Sequence, residues 1–164
     1  MPVDLSAITK LERLPTDGDS AGPALVRDRP AGNETPRDHE WLAGVPILVV
    51  DDDAPSARLL RVLLAGAGAV VRTAHNADEA LALLADFPAQ LFVVDLILPG
   101  MSGLLLAQRV KEASPTAVVV AVSVAHGPDV ERLALESGCA TLIHKPIDVN
   151  TFVQSAIRLL RTTA

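Results

Sequence analysis

A few polar side chains end stretches that are otherwise apolar: Asp51 and Asp52 close PILVVDDD, Asp95 closes LFVVD, Ser123 closes AVVVAVS and Lys145 closes ATLIHK. If those stretches are neighbouring strands, their carboxylates share one crevice. Unscreened, the carboxylates repel and raise one another's pKa, so the set makes sense only beside a compensating cation. An all-oxygen donor set suits a hard divalent ion such as magnesium. With that charge supplied, Asp95 stays ionised and can attack phosphorus, giving an acyl phosphate. Lys145 then serves as a mobile charge for Asp95 or a phosphoryl oxygen, and Ser123 as a small hydroxyl donor.

The elements that must position these residues follow from the hydrophobic pattern. From Val45 onward, apolar runs alternate with amphipathic stretches. Strands are expected at PILVV, AVVRTA (69–74), LFVVD (91–95), 117–123 and 140–145. Helices are expected near 55–66, at Ala77–Ala85 behind an Asn76 cap, at Ser102–Ala113, at Pro128–Ser137 before Gly138, and from about Asp148 to Arg161. Strands apolar on both sides, each followed by a helix, predict an α/β fold: a doubly wound five-stranded parallel sheet of order 2-1-3-4-5 with helices on both faces. In such a sheet the ligand crevice lies outside the carboxyl ends of strands 1 and 3. That is where Asp51, Asp52 and Asp95 fall.

Residues 1–44 have a different texture. They carry five prolines, eight acidic and five basic residues, and after Leu14 almost no apolar periodicity, so a flexible, mostly disordered extension is expected. Leu5, Ile8, Leu11 and Leu14 could line a short helix near 4–14, either a docking peptide or a frayed, transient turn. The domain is expected at 45–164.

Composition excludes several function classes. The net charge is −6 and the basic residues are scattered, so no stripe exists to neutralise nucleic-acid phosphates. No apolar run reaches the ~18 residues of a membrane span, and the first residues lack a signal-peptide core. The one cysteine, Cys139, fits a buried, inert thiol in a reducing cytoplasm. Aromatic residues make up only 2%, so the core must be built from Ala, Val, Leu and Ile.

The motifs together resemble the response-regulator receiver family. LVVDDD (48–53) is similar to its acidic pair, VVDLILPGMSG (93–103) to its phosphoacceptor loop, VVAVSVA (119–125) to its hydroxyl motif and LIHKPI (142–147) to its Lys-Pro motif. The resemblance implies a receiver fold in which Asp51, Asp52 and Asp95 bind Mg2+ together with the Ile97 backbone carbonyl. It implies that Asp95 is phosphorylated, Ser123 is the switch hydroxyl, Lys145 is the charge partner, and Lys145–Pro146 is cis. It further implies a phosphoacceptor signalling protein, not an enzyme with turnover. Its partners would be a histidine kinase or histidine phosphotransfer protein and a downstream protein met by the face of helix 4, strand 5 and helix 5. Because the sequence stops directly after helix 5, a single-domain regulator is expected.

Each residue taken singly has a plainer reading. Asp51–Asp53 could be an N-cap cluster ahead of Pro55, and Asp53 is read as that cap. Pro99 and Gly103 alone say only that a turn is tight. His144, inside strand 5, is read as structural. Four positions depart from the usual receiver pattern: Leu142 stands where a switch aromatic is common, Val124 where a small residue is common, and Ile97 and Ala125 where a side chain could orient a hydrolytic water. Two other classes compete. A receiver-like module that binds partners without phosphorylation is compatible with Leu142 and Val124. A haloacid-dehalogenase-type phosphatase would need a hydroxyl where Pro55 stands, and a second acidic motif.

Overall fold

The computed structural model describes residues 41–163. The short helix expected near 4–14 lies outside the described residues. Five strand–helix units run along the chain: β1 (Pro46–Val50), α1 (Ala54–Gly66), β2 (Val70–Ala74), α2 (Ala77–Leu83), β3 (Leu91–Asp95), α3 (Gly103–Ala113), β4 (Val118–Ser123), α4 (Pro128–Glu136), β5 (Thr141–His144) and α5 (Val149–Thr163). The strands form one parallel sheet in the order β2-β1-β3-β4-β5, as expected.

Strand alternation divides the core into two halves. Leu48 and Val50 of β1, Phe92 and Val94 of β3, and Val119 and Ala121 of β4 face Ala77 and Ala80 of α2, Leu106, Ala107 and Val110 of α3, and Ala134 of α4. Their neighbours Ile47, Val49, Leu91, Val93, Val118, Val120 and Val122 face Ala57, Leu60 and Leu64 of α1 and Phe152, Ala156 and Ile157 of α5. β3 and β4 are buried along their whole length, which is why their sequences are continuous apolar runs rather than alternating ones. Full burial of a side chain such as Leu64 or Leu106 makes truncation to Ala cost about 2–5 kcal/mol.

Local signals end and begin the helices. Asp53 accepts a hydrogen bond from Ser56 N and caps α1, with Pro55 in the first turn. Asn76 caps α2 through Glu79 N, and Ser102 caps α3 through Leu105 N. α2 stops at Leu83, short of Ala85, and α5 runs to Thr163, beyond Arg161. Ahead of β1, and just before the expected domain start at 45, a turn over 41–44 places Leu42 in the core, with Leu42 N bonded to Ala67 O. Trp41 lies 4.3 Å from the Arg161 guanidinium, tying this turn to α5. No helix among the described residues is long and apolar enough to cross a membrane.

Candidate functional site

The parallel register stacks the candidate residues along one edge. Val50 pairs with Val94, so Asp51 and Asp95, the next residues of their strands, emerge side by side; Ser123 pairs with His144, so Lys145 emerges next to Ser123. All leave the sheet at its carboxyl ends, the crevice position expected of this topology. Asp51 is 1% exposed, Asp95 7% and Ser123 0%, whereas Asp52 is exposed on the rim.

Backbone donors hold the carboxylates in place. Asp53 N donates to Asp51 Oδ1 at 2.9 Å and Ile97 N donates to Asp95 Oδ1 at 2.8 Å. The other oxygen of each turns to one ammonium: Lys145 Nζ lies 2.9 Å from Asp51 Oδ2 and 2.7 Å from Asp95 Oδ2. Burial pushes the Asp51 carboxyl above the ordinary aspartate range, against the opposing hydrogen bonds from Lys145 and Asp53 N. For Lys145, burial pulls the other way, but the hydrogen bonds to Asp95 and Asp51 outweigh it and keep the amine above the ordinary lysine value. The charges on Asp51 and Lys145 therefore depend on each other.

Carboxylate oxygens of Asp51, Asp52 and Asp95 lie within 4.8 Å of one another. This spacing and donor chemistry fit a hard divalent cation that takes oxygen ligands. Ser123 Oγ accepts a hydrogen bond from Ala125 N at 3.1 Å, which leaves its own hydrogen free to donate into the crevice. The Lys145–Pro146 peptide is cis. Asp53, by contrast, points out as the α1 cap, and the hydrogen bonds from Ser56 hold its carboxyl below the usual range. Cys139 is buried, and burial pushes its thiol up to about 11, which fits the inert reading.

The response regulator receiver domain profile matches residues 47–157, which span the sheet and every candidate residue. The chain belongs to the response-regulator receiver family. Among its relatives, an uncharacterized 14.6 kDa protein of Leptolyngbya boryana is 40% identical over 66% of this chain and 85% of that protein. The phosphate regulon transcriptional regulatory protein PhoB of Pseudomonas aeruginosa is 33% identical over 74% of this chain and 54% of its own length. The DNA-binding transcriptional regulator NtrC of Salmonella typhimurium is 33% identical, but this chain spans only 23% of it. Of solved structures, the receiver domain of NtrX from Brucella abortus superposes with a TM-score of 0.66 at 34% identity, covering 71% of this chain and 98% of that domain. A CheY-like receiver domain protein from Methanospirillum hungatei matches with a TM-score of 0.70 over 74% and 97%; at 24% identity it supports the fold alone.

Within this receiver the structure brings Asp51, Asp52, Asp95, Ser123 and Lys145 to one crevice, as the sequence predicts. Ile97 stands beside them with its N–H on Asp95 Oδ1 and is 57% exposed, and Val124 is 58% exposed. Leu142, at the position of the common aromatic, is half-buried against the α2–α3–α4 half of the core. One residue of the site carries more than its sequence reading suggests. A Cβ on Gly103 would sit 2.6 Å from Leu96 Cα and closer still to the Asp95 carbonyl oxygen, so α3 starts hard against the strand end that carries Asp95. The available signal was a glycine at the first helical position, where Ala is the better helix former.

Proposed function

We propose that this receiver accepts a phosphoryl group on Asp95 from a phosphohistidine of a histidine kinase or histidine phosphotransfer protein, and that the transfer changes a protein-binding surface. The observation that carries the reading is the pairing of Asp95 with Lys145 at 2.7 Å inside a cluster of carboxylates on a receiver fold. In the transfer a carboxylate oxygen of Asp95 forms a bond to phosphorus as the P–N bond of the donor breaks, and the imidazole leaves with the electron pair and takes up a proton. Ile97 N fixes one Asp95 oxygen and thereby the direction in which the carboxylate faces. Lys145 remains anchored on Asp51 while its other contact passes to a phosphoryl oxygen, and the free hydrogen of Ser123 meets another. Asp51, Asp52 and Asp95, with the Ile97 carbonyl, would hold Mg2+, which when bound neutralises charge on the transferring oxygens.

Receiver domains interact with histidine kinases or phosphotransfer proteins, and the downstream partner is proposed to dock on the α4–β5–α5 face. On α4, Leu133 and Leu135 are 41% and 50% exposed on either side of the buried Ala134. Leu142 supports the second reading, a module that binds without phosphorylation, because no ring is present at that position to report the event. Titration with beryllofluoride, followed by amide NMR with and without magnesium, separates the two. Shifts at Ser123, Lys145 and α4 that require magnesium support the switch; an unchanged spectrum supports the second reading.

A further inference from the structure

The phosphoacceptor reading leaves His126 and His144 without a task. The two rings stack at 4.5 Å between centroids with 27° between planes, and His144 Nδ1 lies 3.1 Å from Ala125 O. A carbonyl oxygen can only accept, so Nδ1 carries the hydrogen in this contact. On the other side of its Cα, Ala125 donates its N–H to Ser123 Oγ at 3.1 Å. We propose that His144 is a positioning residue for the Ser123 hydroxyl, acting through Ala125, with His126 holding the imidazole in place.

The geometry forms a closed circuit. Ser123 and His144 are partners across the β4–β5 ladder, and Lys145 N donates to Ser123 O at 2.9 Å. β5 thus fixes the main chain of Ser123 directly and its side chain indirectly, through His144, Ala125 O and Ala125 N. Serine makes this second restraint matter. A β-branched threonine is stiff at χ1, whereas a serine hydroxyl swings among three staggered positions unless a partner selects one. The hydrogen bond from Ala125 N is that partner, and it holds only while the Ala125 residue keeps its orientation. His144 is exposed, so its role does not come from filling the core. His144 touches neither Asp95 nor the crevice carboxylates among the contacts described, which is why it positions rather than reacts.

The consequence for phosphoryl uptake rests on the phosphoacceptor reading, whereas the restraint on Ala125 and Ser123 does not. Both are tested on the full-length protein with His144→Phe, which keeps a ring to stack on His126 but has no donor, and His144→Asn, whose side-chain amide places a donor near the position of Nδ1. In the phosphate-free protein, His144→Phe should raise the hydrogen-exchange rate of the Ala125 amide by about tenfold and average the Ser123 χ1 couplings, while His144→Asn keeps both near wild type. With phosphoramidate and Mg2+, His144→Phe should slow uptake severalfold and His144→Asn should restore it. Unchanged Ala125 exchange in His144→Phe, or equal loss in both variants, overturns the proposal. So does normal uptake in His144→Phe despite faster exchange. If the wild type takes up no phosphoryl group while the exchange results hold, the positioning of Ser123 stands and the phosphoacceptor reading falls.

Discussion

Lys145 and Asp95 are joined by a 2.7 Å ion pair whose ammonium also holds Asp51 at 2.9 Å, so one cation compensates two carboxylates that the fold has taken out of water. Lys145 is the side-chain cation that meets both carboxylates. Under the proposed function, Lys145 exchanges one of these contacts for a phosphoryl oxygen.

Removing that ammonium should be costly. Breaking a fully buried pair costs about 3–5 kcal/mol; with the Lys145 side chain still 15% exposed, Lys145→Ala is expected to lose about 2 kcal/mol in urea denaturation at neutral pH. Millimolar magnesium should return part of it, because a cation bound by the folded state alone stabilises that state. The pH dependence has a definite sign. Lys145 is raised in the folded protein, so its contribution is complete below the ordinary lysine value of 10.5 and is lost as pH climbs through the raised one. Wild type and variant should therefore converge in strong alkali. Asp51 is also raised, so the penalty of its charge applies at neutral pH and fades as pH falls through its folded value. Equal stability of the two proteins at neutral pH without magnesium would contradict this.

Gly103→Ala should disturb the site from the outside. The added Cβ meets backbone, the Asp95 carbonyl and Leu96 Cα, which cannot step aside as a side-chain tip can. Overpacking of this kind costs roughly 1–3 kcal/mol, and the helix propensity gained by alanine, about 1 kcal/mol, does not offset it. The variant should melt earlier and, where still folded, take up phosphate more slowly. A more stable variant would show that α3 moves freely relative to β3.

The acyl phosphate should be long-lived. Ile97 and Ala125 occupy the positions from which a polar side chain could align a water on phosphorus, and neither has a polar atom beyond its backbone. In a phosphate-release assay the phosphoprotein should persist for many minutes, and Ala125→Glu or Ile97→Asn should shorten its lifetime. Decay within seconds in the wild type would contradict the reading.

Most of the fold and of the site is legible in the sequence for a single physical reason. Strands buried on both faces must be apolar throughout, so a polar residue at a strand end stands out, and Asp51, Asp95, Ser123 and Lys145 each do. Parallel topology then places those ends together without further information. What escapes is non-local or depends on hydrogen bonding at helix ends. α5 continues to Thr163 because no glycine or proline stops it, and Leu42 packs under α1 through a turn that has no periodicity of its own. The close approach of Gly103 to Asp95 and the hydrogen bond from His144 to Ala125 depend on positions far apart in the chain or on backbone geometry, and neither changes the hydrophobic pattern.

Whether Asp95 is the phosphoacceptor is decided by intact-protein mass spectrometry after incubation with phosphoramidate and Mg2+, followed by peptide mapping. The wild type should gain one phosphoryl group, mapped to Asp95, and the gain should be absent without magnesium and absent in Asp95→Asn. No gain in the wild type, or the same gain in Asp95→Asn, would contradict it.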